Sequence, residues 1–149
     1  MPSRHFEDFA VGTVFEAGSV TVSTAEIVEF ATRYDPQPFH VDAEAAQASI
    51  YGGLIASGWH TAALMMRLFV DSIAADTAAL GSPGVDELRW LLPVRPGDTL
   101  SVRMTVVEAR VSQSKPGRGL VRGRFEVTNQ DGGLAMSLTA LMFVLRRPA

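Results

Sequence analysis

An aspartate and a histidine stand five residues apart in the segment DPQPFH, residues 35–40. On an α-helix, steps of about 100° per residue would turn these two side chains roughly 140° apart. Each of the two prolines fixes its own φ angle and disfavours helix at the residue before it. We therefore predict a stiff, non-helical turn in which Asp35 and His40 point into one small volume.

This pair of side chains is equipped for acid–base chemistry. Imidazole titrates near neutral pH, and a neighbouring carboxylate can orient it or hold a water molecule beside it. The same spacing also fits a structural role, in which Asp35 caps a turn and His40 is a half-buried, hydrogen-bonded histidine. The spacing alone leaves both interpretations open.

A serine and a glycine, Ser57 and Gly58, precede the most apolar segment of the chain, where we predict a helix from Ala56 to about Asp76. The first turn of a helix carries unpaired N–H groups and the positive end of the helix dipole. Because Gly58 has no side chain, a substrate oxygen could approach its N–H closely, as an oxyanion or enolate requires. The alternative is that Gly58 only permits a turn.

Composition narrows the classes of function. The chain has 149 residues, of which 47% are hydrophobic and 19% charged, and its net charge is −3. These values are typical of one globular domain. A net negative charge does not attract nucleic acid, so it disfavours nucleic-acid binding. There is no cysteine, so a thiol nucleophile is excluded, and His5, His40 and His60 follow no metal-binding pattern. We expect no metal and no nucleic-acid partner.

The N-terminal segment and the apolar runs indicate a cytoplasmic protein. The start, MPSRHFEDFAVG, lacks the apolar core of a signal peptide. The longest apolar run, residues 61–66, is followed by Arg67. It is far shorter than the ~20 residues that a membrane span needs, so we expect no membrane partner.

Helices are predicted in the first half of the chain. Ser23 and Glu26 match a capping box, and the apolar stripe that follows ends at Tyr34, directly before the aspartate. A short helix is expected within residues 42–49. The helix over residues 56–76 is apolar nearly all round, so we expect it to be buried on most sides.

Strands are predicted around and after these helices. A weak strand covers residues 14–22, and apolar residues alternate with polar ones in four later segments: 87–92, 100–111, 121–127 and 134–145. Short turns join them, which favours antiparallel pairing, and a phase slip near Val106 predicts a β-bulge. The last strand is apolar on both faces and should lie inside the sheet. A long helix against such a sheet is an α+β arrangement, and a two-fold dimer would protect its open edge.

Three segments of the chain resemble one known family. The D-x-N-P-x-H signature of the MaoC-like dehydratases and (R)-specific enoyl-CoA hydratases resembles DPQPFHVD. The segment GLIASGWHTAALMMRLF resembles the part of these proteins that leads into their central helix. The segment LLPVRPGDTL resembles the strand and turn that follow it. The likeness covers roughly Phe6 to Leu145. It implies a single hot-dog domain over residues 1–149, with a curved antiparallel sheet wrapped around a long central helix.

The resemblance also implies a function, namely hydration or dehydration of acyl-CoA thioesters by a homodimer or a higher even oligomer. In the family, an Asp and a His hold a water molecule and add it across a 2-enoyl thioester. The matching residues here are Asp35 and His40, and the helix-start glycine that polarises the thioester carbonyl matches Gly58. Coenzyme A then belongs to the substrate, and no separate cofactor is implied.

Five further residues are assigned to substrate binding. The loop SQSKPGRG resembles the family loop near the coenzyme A tail, so Ser114 and Lys115 are expected to contact phosphate or pantetheine. Gln37 stands where the signature usually has Asn, and its longer amide can still donate and accept hydrogen bonds. This departure bears on the identity of the substrate more than on the reaction. Ser57 is assigned with them, as is His60, for which facing the core is the alternative.

Two other functions fit the same residues. In a hot-dog acyl-CoA thioesterase, Asp35 would activate water against the carbonyl carbon and free coenzyme A would be released. A non-catalytic subunit would bind acyl-CoA without turnover. A hydratase yields a 3-hydroxyacyl thioester with coenzyme A still attached, so the product distinguishes the three.

Overall fold

The computed structural model describes all 149 residues. Four helices follow the first strand, and the last of them is the longest. The helices are α1 (Thr24–Tyr34), α2 (Pro38–Val41), α3 (Ala43–Ala48) and α4 (Gly58–Ser72). The strands are β1 (Val14–Thr21), β2 (Ala79–Gly81), β3 (Val85–Trp90), β4 (Thr99–Val111), β5 (Arg118–Thr128) and β6 (Leu134–Leu145). Short 3₁₀ turns cover Phe6–Asp8 and Ala74–Asp76. None of the helices combines the length and the apolar character that crossing a membrane requires.

All six strands form one sheet in the order β1-β4-β5-β6-β2, with β3 also paired to β6. Every pair is antiparallel, as the short connections predict. β6 lies inside the sheet, between β5 on one side and both β2 and β3 on the other, as its apolar residues on both faces predict. β2 was not predicted, because its three residues are too few for an alternating pattern.

The predicted bulge is confirmed in β4. The register between β4 and β5 shifts between Val106 and Glu108, where the alternation slips. A second shift occurs in β1 between Glu16 and Gly18. Gly18 has a φ of 95° there, which is why a glycine interrupts this strand.

α4 packs against the sheet with one side. Met65 and Phe69 are buried in the main hydrophobic core, and the ring of Phe69 meets that of Phe125 at 5.0 Å between centroids. The prediction that this helix is buried on most sides is wrong, because Trp59, Met66 and Val70 are exposed. A single sheet covers one side of a helix, so the apolar stripe formed by these three residues remains uncovered in the protomer.

The start of α1 is as predicted, with the Ser23 hydroxyl accepting a hydrogen bond from the Glu26 amide at 3.1 Å. The helix ends at Tyr34, and the Asp35 amide still donates to the Ala31 carbonyl oxygen at 2.8 Å. The last turn of α1 therefore fixes the backbone position of Asp35 relative to the core.

Candidate active site

The turn between Asp35 and His40 is only partly as predicted. Gln37 is extended, with φ −71° and ψ 146°, as expected before a proline. Pro38, however, is the first residue of the one-turn helix α2, which also contains His40. The prediction of a wholly non-helical turn is wrong in this half, because proline is well tolerated at the first helical position, where its missing N–H would have no partner.

Asp35 and His40 lie side by side, with 3.3 Å between Asp35 Oδ2 and His40 Nε2. His40 Nδ1 lies 2.6 Å from the backbone carbonyl oxygen of Ile55. Because that oxygen can only accept, Nδ1 carries the proton of this hydrogen bond, and in the neutral ring Nε2 presents a lone pair beside the carboxylate. The imidazole is buried and Phe39 packs edge-on against it at 4.6 Å, so its orientation is fixed.

Two further side chains hold the carboxylate of Asp35. The hydroxyl of Ser57 donates to Oδ2 at 2.7 Å, and the amide Nε2 of Gln37 donates to Oδ1 at 2.7 Å. Burial alone would raise the pKa of Asp35. The hydrogen bonds from Ser57 and Gln37, together with the positive charge of His40 when its ring is protonated, outweigh it, so the pKa lies below its usual value. The carboxylate is therefore held in its ionised form.

The first turn of α4 faces the same region. Ser57 is the N-cap, and its hydroxyl accepts from the Trp59 amide at 3.3 Å while it donates to Asp35. The amide of Gly58 donates no hydrogen bond within the chain. An unpaired N–H at a helix start is free to bind a substrate oxygen.

These groups converge on a cavity of about 590 Å³. Asp35, Gln37, His40 and Gly58 all line it, and most of the remaining wall is apolar or aromatic. The other lining residues are Tyr34, Phe39, Tyr51, Ile55, Ala56, Trp59, Thr61, Trp90, Leu91, Leu92, Pro93, Val94 and Ala135. An apolar cavity with a few convergent polar groups is typical of a small-molecule site.

Four predicted site residues lie outside this lining. Ser57 is fully buried behind the cavity, where it contacts Asp35 and has no surface left for a substrate. His60 is buried and stacks on Phe30, with 4.8 Å between ring centroids and 7° between planes, so it faces the core as in the alternative interpretation. Ser114 and Lys115 are exposed in the loop between β4 and β5, and their contact with coenzyme A stays a prediction.

The main feature that the sequence did not predict is the position of Trp90. Its indole lies directly on Gly58: a Cβ at residue 58 would come within 2.6 Å of Trp90 Nε1 and closer still to two ring carbons. The ring of Trp59 meets that of Trp90 edge-on at 5.1 Å. Residues 58 and 90 are brought together only by the placement of β3 beside α4, and no local pattern signals such a contact.

Nowhere in the chain do three or more histidine or carboxylate side chains cluster as the ligands of a metal ion would. The polar groups of the cavity include the ionised carboxylate of Asp35, the imidazole of His40 and the amides of Gln37 and Gly58.

Comparison with known proteins gives consistent matches. Residues 8–128 match the family described as MaoC like domain. The uncharacterized protein YdeM of Bacillus subtilis is 33% identical over 109 residues, which are 73% of this chain and 75% of that protein. The family match includes the whole segment from Asp35 to Trp90.

Two solved structures place the fold. The crystal structure of a MaoC-like dehydratase from Rhodospirillum rubrum is 44% identical, with a TM-score of 0.89 over 97% of this chain and 99% of that one. A protein from Mycobacterium tuberculosis with a double hotdog fold is 22% identical, with a TM-score of 0.79 over 97% of this chain and 44% of that one. The predicted α+β hot-dog fold is confirmed.

Proposed function

Because the chain belongs to the MaoC-like domain family, we propose that it is an acyl-CoA hydratase or dehydratase that adds or removes water across a 2-enoyl-CoA thioester. One observation carries the proposal: an ionised carboxylate, Asp35, the Nε2 lone pair of His40 and the unpaired amide of Gly58 all face one apolar cavity. These three groups supply what the reaction needs, namely a site for water, a proton carrier and a donor to the thioester oxygen.

The thioester carbonyl oxygen accepts a hydrogen bond from the Gly58 amide. As water adds, negative charge moves from the double bond onto this oxygen, and the substrate gains enolate character. The positive end of the α4 dipole stabilises that charge together with the amide. Because the charge develops during the reaction, this contact strengthens in the transition state and raises turnover more than binding.

The water molecule binds between Asp35 and His40. Asp35 accepts one of its hydrogen bonds and stays ionised, which its low pKa favours. His40 Nε2 takes a proton from the water as the oxygen bonds to C3, and the same proton then passes to C2. The O–H bond and the C2–C3 π bond break while C3–O and C2–H bonds form, so the step balances with water alone and requires no cofactor.

The acyl tail of the substrate binds in a second cavity. This cavity, of about 250 Å³, lies further along α4 and is lined by Met65, Met66 and Phe69 and by apolar residues of β5 and β6. Its wall is almost entirely apolar, which suits a hydrocarbon chain. The contacts of Ser114 and Lys115 with the coenzyme A phosphates are proposed from the family resemblance alone.

We also propose that the protein is a homodimer or a higher even oligomer. The outer edge formed by β2 and β3 pairs only with β6, and the nearby side chains of Leu80 and Val85 are exposed. The apolar stripe of α4, formed by Trp59, Met66 and Val70, is uncovered as well, and Met66 and Val70 lie at the exposed rim of the second cavity. A second copy would cover both features. Light scattering that gave a stable 16.0 kDa monomer at micromolar concentration would contradict this assembly.

The test of function is an assay with crotonyl-CoA, followed by longer and branched 2-enoyl-CoA thioesters. The expected product is the 3-hydroxyacyl thioester, detected by loss of the conjugated double bond with no free thiol formed. Release of free coenzyme A would identify a thioesterase instead. Tight binding of the thioesters without turnover would identify a non-catalytic acyl-CoA-binding subunit.

A further inference from the structure

Trp90 contacts the backbone of the residue that the proposed mechanism uses as its oxyanion donor. Three atoms around the fused bond of the indole lie where a Cβ of residue 58 would be, so the face of the ring rests on the Gly58 α-carbon. Both residues line the cavity with Asp35 and His40. Trp90 is 46% exposed, so filling the hydrophobic core does not explain its position.

The indole is itself held from two directions. The backbone of Trp90 pairs with Met136 of β6, and the amide of the next residue, Leu91, donates to the Ala135 carbonyl oxygen at 2.8 Å. β6 is an inner strand and Met136 is fully buried. On its other side, the ring meets Trp59 edge-on at 5.1 Å. The sheet thus fixes Trp90, and Trp90 rests on the first residue of α4.

Two contacts consequently hold the first turn of α4 in place, one from Asp35 and one from Trp90. The Ser57 hydroxyl binds Asp35 just before Gly58, and the Trp90 ring covers the α-carbon of Gly58 itself. Helix ends fray when nothing holds them, whereas a donor to a developing oxyanion must be fixed before the reaction. A displacement of about 1 Å in such a group can reduce turnover roughly 100-fold.

We propose that Trp90 is a positioning residue, which fixes the Gly58 amide relative to the Asp35–His40 pair through contact of its ring with the glycine backbone. The inference rests on the proposed hydratase function. It assigns to Trp90 no direct contact with the substrate: the ring acts through Gly58. A phenylalanine, which also offers a flat ring but no indole N–H, should therefore replace it in large part.

The experiment compares the parent protein with Trp90→Ala and Trp90→Phe in crotonyl-CoA hydration. Trp90→Ala should lower kcat about 10- to 100-fold and change KM by less than about threefold, because the misplaced amide costs mainly transition-state stabilisation. Trp90→Phe should restore kcat to within about threefold of the parent. Phe143→Ala, which removes a partly buried ring of β6 outside the cavity, is the matched control and should keep the parent's kcat.

A binding measurement separates positioning from general loss of the site. Acetoacetyl-CoA can bind as an enolate, whose absorbance differs from that of the keto form, whereas butyryl-CoA cannot. In Trp90→Ala the fraction of bound acetoacetyl-CoA in the enolate form should fall at least about tenfold, in line with kcat, while butyryl-CoA affinity changes by less than about threefold. If the alanine variant does not fold, Trp90→Leu takes its place in both measurements.

Three results would overturn the inference. One is an alanine variant with the parent's kcat. Another is a phenylalanine variant as slow as the alanine variant, which would make the indole N–H the active group. The third is an equal loss of affinity for both ligands. A parent protein that hydrates no 2-enoyl-CoA, crotonyl-CoA included, would overturn the proposed function itself and this inference with it, and is distinguishable because the parent is measured first.

Discussion

The hydroxyl of Ser57 joins the start of α4 to the carboxylate of Asp35: it donates to Asp35 Oδ2 at 2.7 Å and accepts from the Trp59 amide at 3.3 Å. A single side chain thus caps the helix whose dipole faces the cavity and orients the Asp35 carboxylate beside His40. The start of α4, which carries the Gly58 amide, and the Asp35–His40 pair are therefore linked through one side chain.

The Asp35–His40 pair is the first target for mutation. Asp35→Asn and His40→Gln should each lower turnover by on the order of 10²–10⁴, the usual loss for a general acid–base group. The double variant should be little slower than the slower single variant, because the two residues act together. Steady-state kinetics with crotonyl-CoA measure both effects, and a single variant with near-parental turnover would show that the pair has been wrongly assigned.

Ser57→Ala should change both stability and the pH dependence of catalysis. Loss of the N-cap costs about 0.5–2 kcal/mol in the free energy of unfolding. Loss of the hydrogen bond to Asp35 removes one cause of its low pKa, so that pKa rises and the acidic limb of the kcat/KM profile moves to higher pH.

Ser23→Ala is the matched control for Ser57→Ala. Ser23 caps α1 through the same kind of hydrogen bond, from the Glu26 amide, but lies outside the cavity. This variant should lose comparable stability in thermal unfolding while its pH–rate profile stays that of the parent. Equal profiles for both variants would mean that Ser57 is a helix cap and nothing more.

Local patterns predicted the elements that hold the site. The capping box at Ser23, the cap at Asp42, whose carboxylate accepts from the Glu44 and Ala45 amides, and the end of α1 at Tyr34 all depend on neighbours within a few residues. The pairing of Asp35 and His40 in space was likewise predicted, since the prolines restrict the backbone between them.

Three features that depend on tertiary packing were not predicted. The burial of His60 against Phe30 and the contact of Trp90 with Gly58 are set by how α1 and β3 pack beside α4. The spacing of His60 after Gly58 was compatible with either face. The exposed stripe of α4 was missed for another reason. The sequence pattern of an apolar helix surface is the same whether the core of the protomer or a second copy covers it.

The buried imidazole of His60 should make stability depend on pH. Burial lowers its pKa below the ordinary value, and the opposite effect of the Glu26 carboxylate is smaller. The unfolded state then binds a proton more readily than the folded state, so stability is full above the unfolded pKa of about 6.5 and falls as pH decreases below it.

Chemical denaturation between about pH 7.5 and 5 measures this effect. His60→Phe, which keeps a ring against Phe30 and cannot be protonated, should flatten the curve over that interval. Asp35 does not interfere, because the stability due to its low pKa is lost only as pH falls below the unfolded value of about 3.9. A parent curve that is already flat would contradict the burial of a neutral His60.

Gly58→Ala should destabilise the protein, although alanine is the better helix former by about 1 kcal/mol. The added methyl group would overlap the indole of Trp90, whose backbone is fixed in the sheet, so the start of α4 or β3 must shift. Both the melting temperature and crotonyl-CoA turnover should therefore fall, and turnover alone cannot identify the oxyanion donor.

The double variant Gly58→Ala/Trp90→Ala separates the steric overlap from the loss of the amide's position, because removal of the indole makes room for the methyl group. Its melting temperature should recover towards that of Trp90→Ala, while turnover stays low, since the amide at residue 58 is no longer held in place. Gly117→Ala is the matched control: no atom lies within 4 Å of its added Cβ, and both properties should match the parent. If Gly58→Ala alone melts like the parent, the ring of Trp90 does not rest on Gly58, and the arrangement from which its positioning role was inferred is wrong.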